Sequence, residues 1–384
     1  MFLTLYFELY ETYGLILKMK VDTADSQIIN ENESTIALAL SGGGIRAMIF
    51  HLGVLKYLAE KNKLESIEHV STVSGGSLIV GLILKNNGMV WPSSHVFLKE
   101  IIINVKQQLC SKSMMWGMAR QLKNPKSFKF LLSRSNLLAK TLYDEWGVDC
   151  SLSEIPDVPM WHINGTTAET GKRFRFKKDD FGEYSLGYSK DTYKFPLAKA
   201  IAVSAAFPGG IGPLVINASE YKWYKRPWGE PKTSSKETIL DHSLLHLYDG
   251  GVYDNLGLEP FFVFLTQEKK DDISSETVII VSDAGASLKQ KFIFKKLSPW
   301  RLKHVTDIIS DQSRALRVRS FINFSKNNPK KGFYIYIKES KIPKENENAS
   351  FTQAFPTTLK KLNEKQFDML LEHGYEACKV RMVL

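Results

Sequence analysis

The stretch Thr35-Ile-Ala-Leu-Ala-Leu-Ser-Gly-Gly-Gly-Ile-Arg46 constrains the fold more than any other part of the chain. An apolar run of strand length enters three consecutive glycines. The residues that follow, Ile45, Met48, Leu52, Leu55 and Leu58, repeat at the period of a helix. An unbroken apolar strand is buried on both faces, which places it inside a parallel sheet. Further on the layout returns with serine in the turn, Glu68-His-Val-Ser-Thr-Val-Ser-Gly-Gly-Ser77. The first turn offers bare backbone N–H groups at a helix N-terminus, and the second offers a hydroxyl. Those are the two parts an acyl-transfer enzyme needs first, an oxyanion hole and a nucleophile.

The rest of the chain extends this pattern. Further strands are expected at 159–164, 173–177, 277–282 and 333–338, with helices over 99–109, 135–146, 302–321 and 363–381. Strands alternating with helices imply an α/β fold, a three-layer sandwich whose central, mostly parallel sheet is covered by helices. Residues 1–34 read as an N-terminal extension. Residues 35–384 read as a single catalytic domain with insertions near 86–158 and 284–330. At 384 residues and 43% hydrophobic, the chain has material for one large core.

Charge and cysteine usage narrow the setting. The net charge of +10 favours anionic partners. From Ile101 to Lys140 there are eight Lys or Arg and no Asp or Glu, with Met114, Met115, Trp116, Met118, Phe128 and Phe130 among them. Ala284–Thr306 repeats the pattern around Phe292, Phe294 and Trp300. Basic residues interleaved with aromatics suit an anionic membrane surface; a solvated helix face over a local apolar core is the alternative. Cys110, Cys150 and Cys378 are scattered and odd in number, so neither a disulfide framework nor zinc spacing is read from them. The N-terminus has no signal-peptide pattern, and no run reaches the length of a membrane span. The expectation is a cytoplasmic protein that sits peripherally on a membrane, with no metal, no cofactor and no nucleic-acid partner.

Three groups of residues carry the chemistry. Ser74 lies between a strand and a small-residue helix start, in Thr72-Val-Ser-Gly-Gly76, as a nucleophile elbow does. Gly42, Gly43 and Gly44 form an anion cradle, and Arg46 either fixes that loop or holds a lipid phosphate. The same glycines also fit a loose dinucleotide fingerprint with Glu65 at the acidic position. The third group is Tyr248-Asp-Gly-Gly-Val-Tyr-Asp-Asn-Leu-Gly257, in which Asp249 precedes two glycines, and Asp254 and Asn255 are read as stabilising the loop. Taken alone, Asp-Gly-Gly is also a plain turn.

Taken together, the chain resembles the patatin-like phospholipases. The resemblance rests on Gly42-Gly43-Gly44-Ile45-Arg46, Thr72-Val73-Ser74-Gly75-Gly76 and Asp249-Gly250-Gly251 in that order. Two weaker strings support it, Asn164-Gly-Thr166-Thr-Ala-Glu-Thr170-Gly171 and Ala202-Val-Ser204-Ala-Ala-Phe-Pro208-Gly209. Thr72 stands where the family has the first glycine of G-x-S-x-G. The resemblance implies hydrolysis of phospholipid or other lipid acyl esters by a Ser–Asp dyad without histidine. Ser74 would be the nucleophile and Asp249 the base, with an oxyanion hole from the N–H groups of Gly43, Gly44 and Gly75. Two rival readings stay open. One is an α/β-hydrolase triad using His242, His246 or His304. The other is a non-catalytic nucleotide- or RNA-binding domain. His51 and His69 are read as core or surface histidines.

Overall fold

The computed structural model describes residues 27–28 and 34–383, apart from 124, 126, 128–133, 209, 228–229, 231, 286–299, 339–341 and 344–345. In chain order, β1 is Ile36–Leu40, α1 Gly44–Glu60, β2 Ile67–Thr72 and α2 Gly75–Asn86. Then come α3 (Met114–Gln121), α4 (Arg134–Trp146), β3 (Met160–Thr167), β4 (Arg173–Phe176) and α5 (Leu197–Ser204). The remaining elements that matter here are β5 (Leu214–Asn217), β6 (Leu244–Asp249), β7 (Val278–Asp283), α6 (Trp300–Asn327), β8 (Gly332–Tyr336) and α7 (Glu364–Arg381).

Five strands run parallel in the order β3–β2–β1–β7–β8. Every residue of β1 and β7 is buried, as their unbroken apolar runs require. The pleat then divides those residues between two cores. Ile36, Leu38 and Leu40 face the larger one, where α1 packs against α7. Ala37, Ala39, Ile279 and Val281 face a smaller one filled by Phe261 and Phe262 and by Phe321 and Phe324 of α6. Helix, sheet and helix make the expected three layers.

Beyond β3 the sheet changes character. β4 and a series of three-residue strands continue it antiparallel, and β6 pairs antiparallel with both the C-terminal end of β3 and β5. The sheet is therefore mixed, parallel through its centre and antiparallel in a lateral wing. Of this wing only β4 was anticipated from the sequence, as the strand at 173–177; α5, β5 and β6 were not. The expected strands and helices all appear, several of them longer than expected: β3 runs to Thr167 and α6 covers 300–327. All three cysteines are free. Most of the 1–34 extension, and residues 286–299 of the second basic stretch, lie outside the described residues. Among the described residues no helix is long and apolar enough to cross a membrane.

Candidate active site

The elbow is built at the C-terminal end of the parallel strands. After β2 the Val73 N–H donates to the Leu40 carbonyl (3.0 Å), and the chain then turns sharply into α2. Ser74 makes that turn with φ 50° and ψ −112°, a conformation that costs a non-glycine residue on the order of 1–3 kcal/mol. The surroundings hold it there. The Ser74 N–H donates to both the carbonyl and the Oγ of Ser204, each at 3.0 Å. Ser204 Oγ lies 2.8 Å from Ser77 Oγ, which lies 2.7 Å from Thr72 Oγ1, and Trp161 Nε1 donates to Thr72 Oγ1 at 2.9 Å. Threonine at position 72 is thus a member of a buried polar chain that ends on the backbone of Ser74.

The glycine loop lies against this elbow. A Cβ on Gly42 would sit 3.3 Å from Ser74 Cβ, and one on Gly75 would strike the Gly44 carbonyl. Gly43 and Gly44 have φ of 148° and 61°, which only glycine adopts without strain. Among the described residues neither of their N–H groups has a backbone acceptor in the loop. Gly42 differs, because its N–H donates to the Asn255 carbonyl (3.2 Å). The next amide, Ile45, donates to Thr358 O at 2.8 Å, so an extended strap at Phe355–Leu359 closes one side of the loop.

Arg46 is buried and gives its guanidinium to two carbonyls, Phe355 O (2.7 Å) and Ala284 O (3.0 Å). Burial lowers its pKa to about 10. The reading of Gly42 and Arg46 as substrate- or phosphate-binding meets a competing demand here. The amide of one and the guanidinium of the other are already committed to backbone carbonyls, which favours the loop-fixing alternative for Arg46.

Asp249 arrives on β6. Its N–H donates to Ala206 O (3.0 Å), and its carbonyl accepts from Thr166 Oγ1 (2.8 Å). The carboxylate accepts from the Gly251 N–H (2.6 Å) and is hydrogen-bonded by the Ser74 side chain. Burial pushes its pKa up to about 7, against the pull of those two hydrogen bonds. Asn164 ties the adjoining strands together through Ser71 Oγ (2.9 Å) and Thr72 O (3.0 Å). The two weaker sequence strings therefore supply the frame of the site. Asp254 accepts from the N–H groups of Leu256, Leu258 and Glu259 and pairs with Arg317 (3.4 Å), a loop-holding role like the one read for it.

The histidines lie elsewhere. His51 is buried between Ser282 Oγ (2.7 Å) and Ser41 O (2.9 Å), where burial lowers its pKa to about 4. His246 pairs with Glu169 (2.7 Å), His69 packs edge-on to Phe261, His242 is exposed and His304 lies on α6. The groups acting on the Asp249 carboxylate are the Gly251 amide and Ser74; none is a histidine. Glu65 caps the Ser94 turn through its N–H and hydroxyl, so it is not placed to read a ribose. Two features escaped the sequence reading. Ser204 was visible in its string but had no assigned role, and the strap gave no signal because it acts through main-chain carbonyls.

Comparison with known proteins follows the same lines. The sequence model of patatin-like phospholipases matches residues 38–262. No curated protein matches the chain. Among solved structures, human GIVD cytosolic phospholipase A2 shares the fold at 12% identity with a TM-score of 0.54, over 90% of this chain and 61% of its own. The chain thus spans about three fifths of that protein's length. VipD from Legionella pneumophila aligns at 14% identity with a TM-score of 0.38, over 92% of this chain and 69% of its own.

Proposed function

Since this chain belongs to the patatin-like phospholipase family, we propose that it hydrolyses acyl esters of glycerophospholipids, with Ser74 as nucleophile and Asp249 as base. The observation that carries this reading is the buried carboxylate of Asp249, bonded to the side chain of a serine that its own backbone forces into a strained turn. A base whose pKa is raised to about 7 takes a hydroxyl proton more readily than an ordinary carboxylate does.

In the first half-reaction Ser74 Oγ attacks the ester carbonyl carbon and its proton passes to Asp249. The oxyanion lies against the Gly43 and Gly44 amides, with Gly75 as a third donor at the start of α2. As the tetrahedral intermediate collapses, Asp249 returns the proton to the departing alkoxide and the lyso-lipid leaves. Water then attacks the acyl-serine, with Asp249 again taking the proton and handing it to Ser74 as the fatty acid departs. The two arrangements around the dyad, one clamping the Ser74 amide and the other the Asp249 amide, keep the pair together between cycles.

Fluorophosphonate labelling tests this directly. Wild-type chain should be labelled on Ser74 and release fatty acid and lyso-lipid, detected by mass spectrometry. Ser74→Ala should abolish labelling and lower hydrolysis by about 10⁴-fold or more. Undiminished hydrolysis by Ser74→Ala, or by Asp249→Asn, would overturn the assignment.

A further inference from the structure

Helix α3 turns Met114, Gly117, Met118 and Gln121 inward and leaves Met115 and Trp116 in solvent, with Trp116 65% exposed. A single exposed apolar side chain is ordinary, but two adjacent ones near a proposed active site need a reason. Their place supplies one. The Met115 N–H donates to Leu359 O (3.2 Å), and the preceding residue of the strap, Thr358, accepts the Ile45 amide beside the glycine loop. The exposed pair is therefore one extended segment away from the proposed oxyanion hole. Exposed apolar side chains also adjoin the residues that hold Asp249. Phe207 follows Ala206, which holds the Asp249 N–H, and Val252 follows Gly251, which holds its carboxylate.

Lysines cluster around this rim, while the exposed Glu364 just past Lys361 faces Lys106. Lys112, Lys123, Lys360 and Lys361 are all exposed close to α3 or on the strap that joins it. Glu145, the carboxylate facing α3, is engaged by Arg120. An indole and a thioether among lysines, one strap away from the proposed oxyanion hole, match the headgroup zone of a negatively charged bilayer. An acidic protein would satisfy the lysines. It would not explain why exposed apolar residues adjoin the segments that bond Ile45 and Asp249.

We propose that this rim is the surface by which the protein docks on an anionic bilayer, with Trp116 as its anchor and Lys360 and Lys361 supplying charge. The proposal rests on the hydrolase reading and names where that site meets its substrate.

The test uses the full chain and co-sedimentation with vesicles of phosphatidylcholine, with and without phosphatidylserine. Wild type should bind the phosphatidylserine vesicles preferentially. Trp116→Ala should weaken that binding about tenfold and Trp116→Phe should retain part of it, while Lys360→Glu with Lys361→Glu should erase the lipid preference. In vesicle-free solution all of these variants should react with fluorophosphonate at the wild-type rate, because none touches the dyad. Vesicle binding by Trp116→Ala equal to wild type overturns the proposal. So does a change in that variant's association state without a change in vesicle binding, which would make the rim an interface between copies. A wild-type chain that ignores fluorophosphonate yet binds vesicles through Trp116 would remove the hydrolase reading and leave the docking surface standing.

Discussion

At the scale of single residues, burial of Asp249 sets two opposed pH dependences. The base works only when ionised, so hydrolysis should rise as pH climbs through about 7. Stability moves the other way. The folded pKa lies above the unfolded value, so between about 4 and 7 the native state holds a proton that the unfolded chain has lost, and folding weakens as pH rises. Asp249→Asn should therefore be inactive yet melt higher than wild type at pH 8, with little difference at pH 4. The ceiling is a few kcal/mol, at roughly 1.4 kcal/mol per pKa unit. Differential scanning fluorimetry across pH reads this directly. Thr72 gives a second prediction. Restoring the family's glycine leaves the Trp161 N–H without its acceptor, so Thr72→Gly should lose about 1–3 kcal/mol in urea unfolding instead of being neutral. Ser74 and Asp249 were legible because each sits in a short string whose small neighbours serve one chemical purpose. The inward turn of Arg46 was not, since a cation after a glycine loop suits an anion and a carbonyl equally well until its burial is known.

At the scale of elements, two helices distant in sequence meet through glycine. A Cβ on Gly374 of α7 would strike the Phe50 carbonyl of α1, and one on Gly53 would strike the Leu371 carbonyl. Backbone lies against backbone, which lets α7 close over the helix that begins at the proposed oxyanion hole. Gly374→Ala cannot be absorbed by a rotamer change, so it should cost about 2–4 kcal/mol and lower the urea midpoint, with activity falling in parallel. The sequence marked both helices by their apolar period but said nothing of their contact, because glycine on a helix face looks like a weak helix former until its partner is in view.

At the scale of the whole molecule, the proposed site lies on a seam. The parallel centre delivers Ser74 and the glycine loop, and Asp249 comes from an antiparallel strand of the wing. Of the parallel strands, β1 and β7 were legible from their continuous apolar runs. Most of the wing was not, since most of its strands are three residues long and too short to show a period; β4, with Arg and Phe alternating, was expected, and β6, with alternate residues buried, was missed. The family match ends at residue 262, but β7 pairs with β1 beyond that point and the strap and α7 complete the first loop and helix. A chain cut after residue 262 should therefore fail to fold, with no cooperative thermal transition and no fluorophosphonate labelling, even though it holds both members of the dyad.

The ties of Arg46 have a consequence for timing. Its bond to Phe355 joins positions 309 residues apart. During synthesis the glycine loop and the elbow leave the ribosome well before Phe355, which lies in the segment that locks them. The proposed hydrolytic activity should therefore be withheld from a nascent chain until Phe355 has emerged.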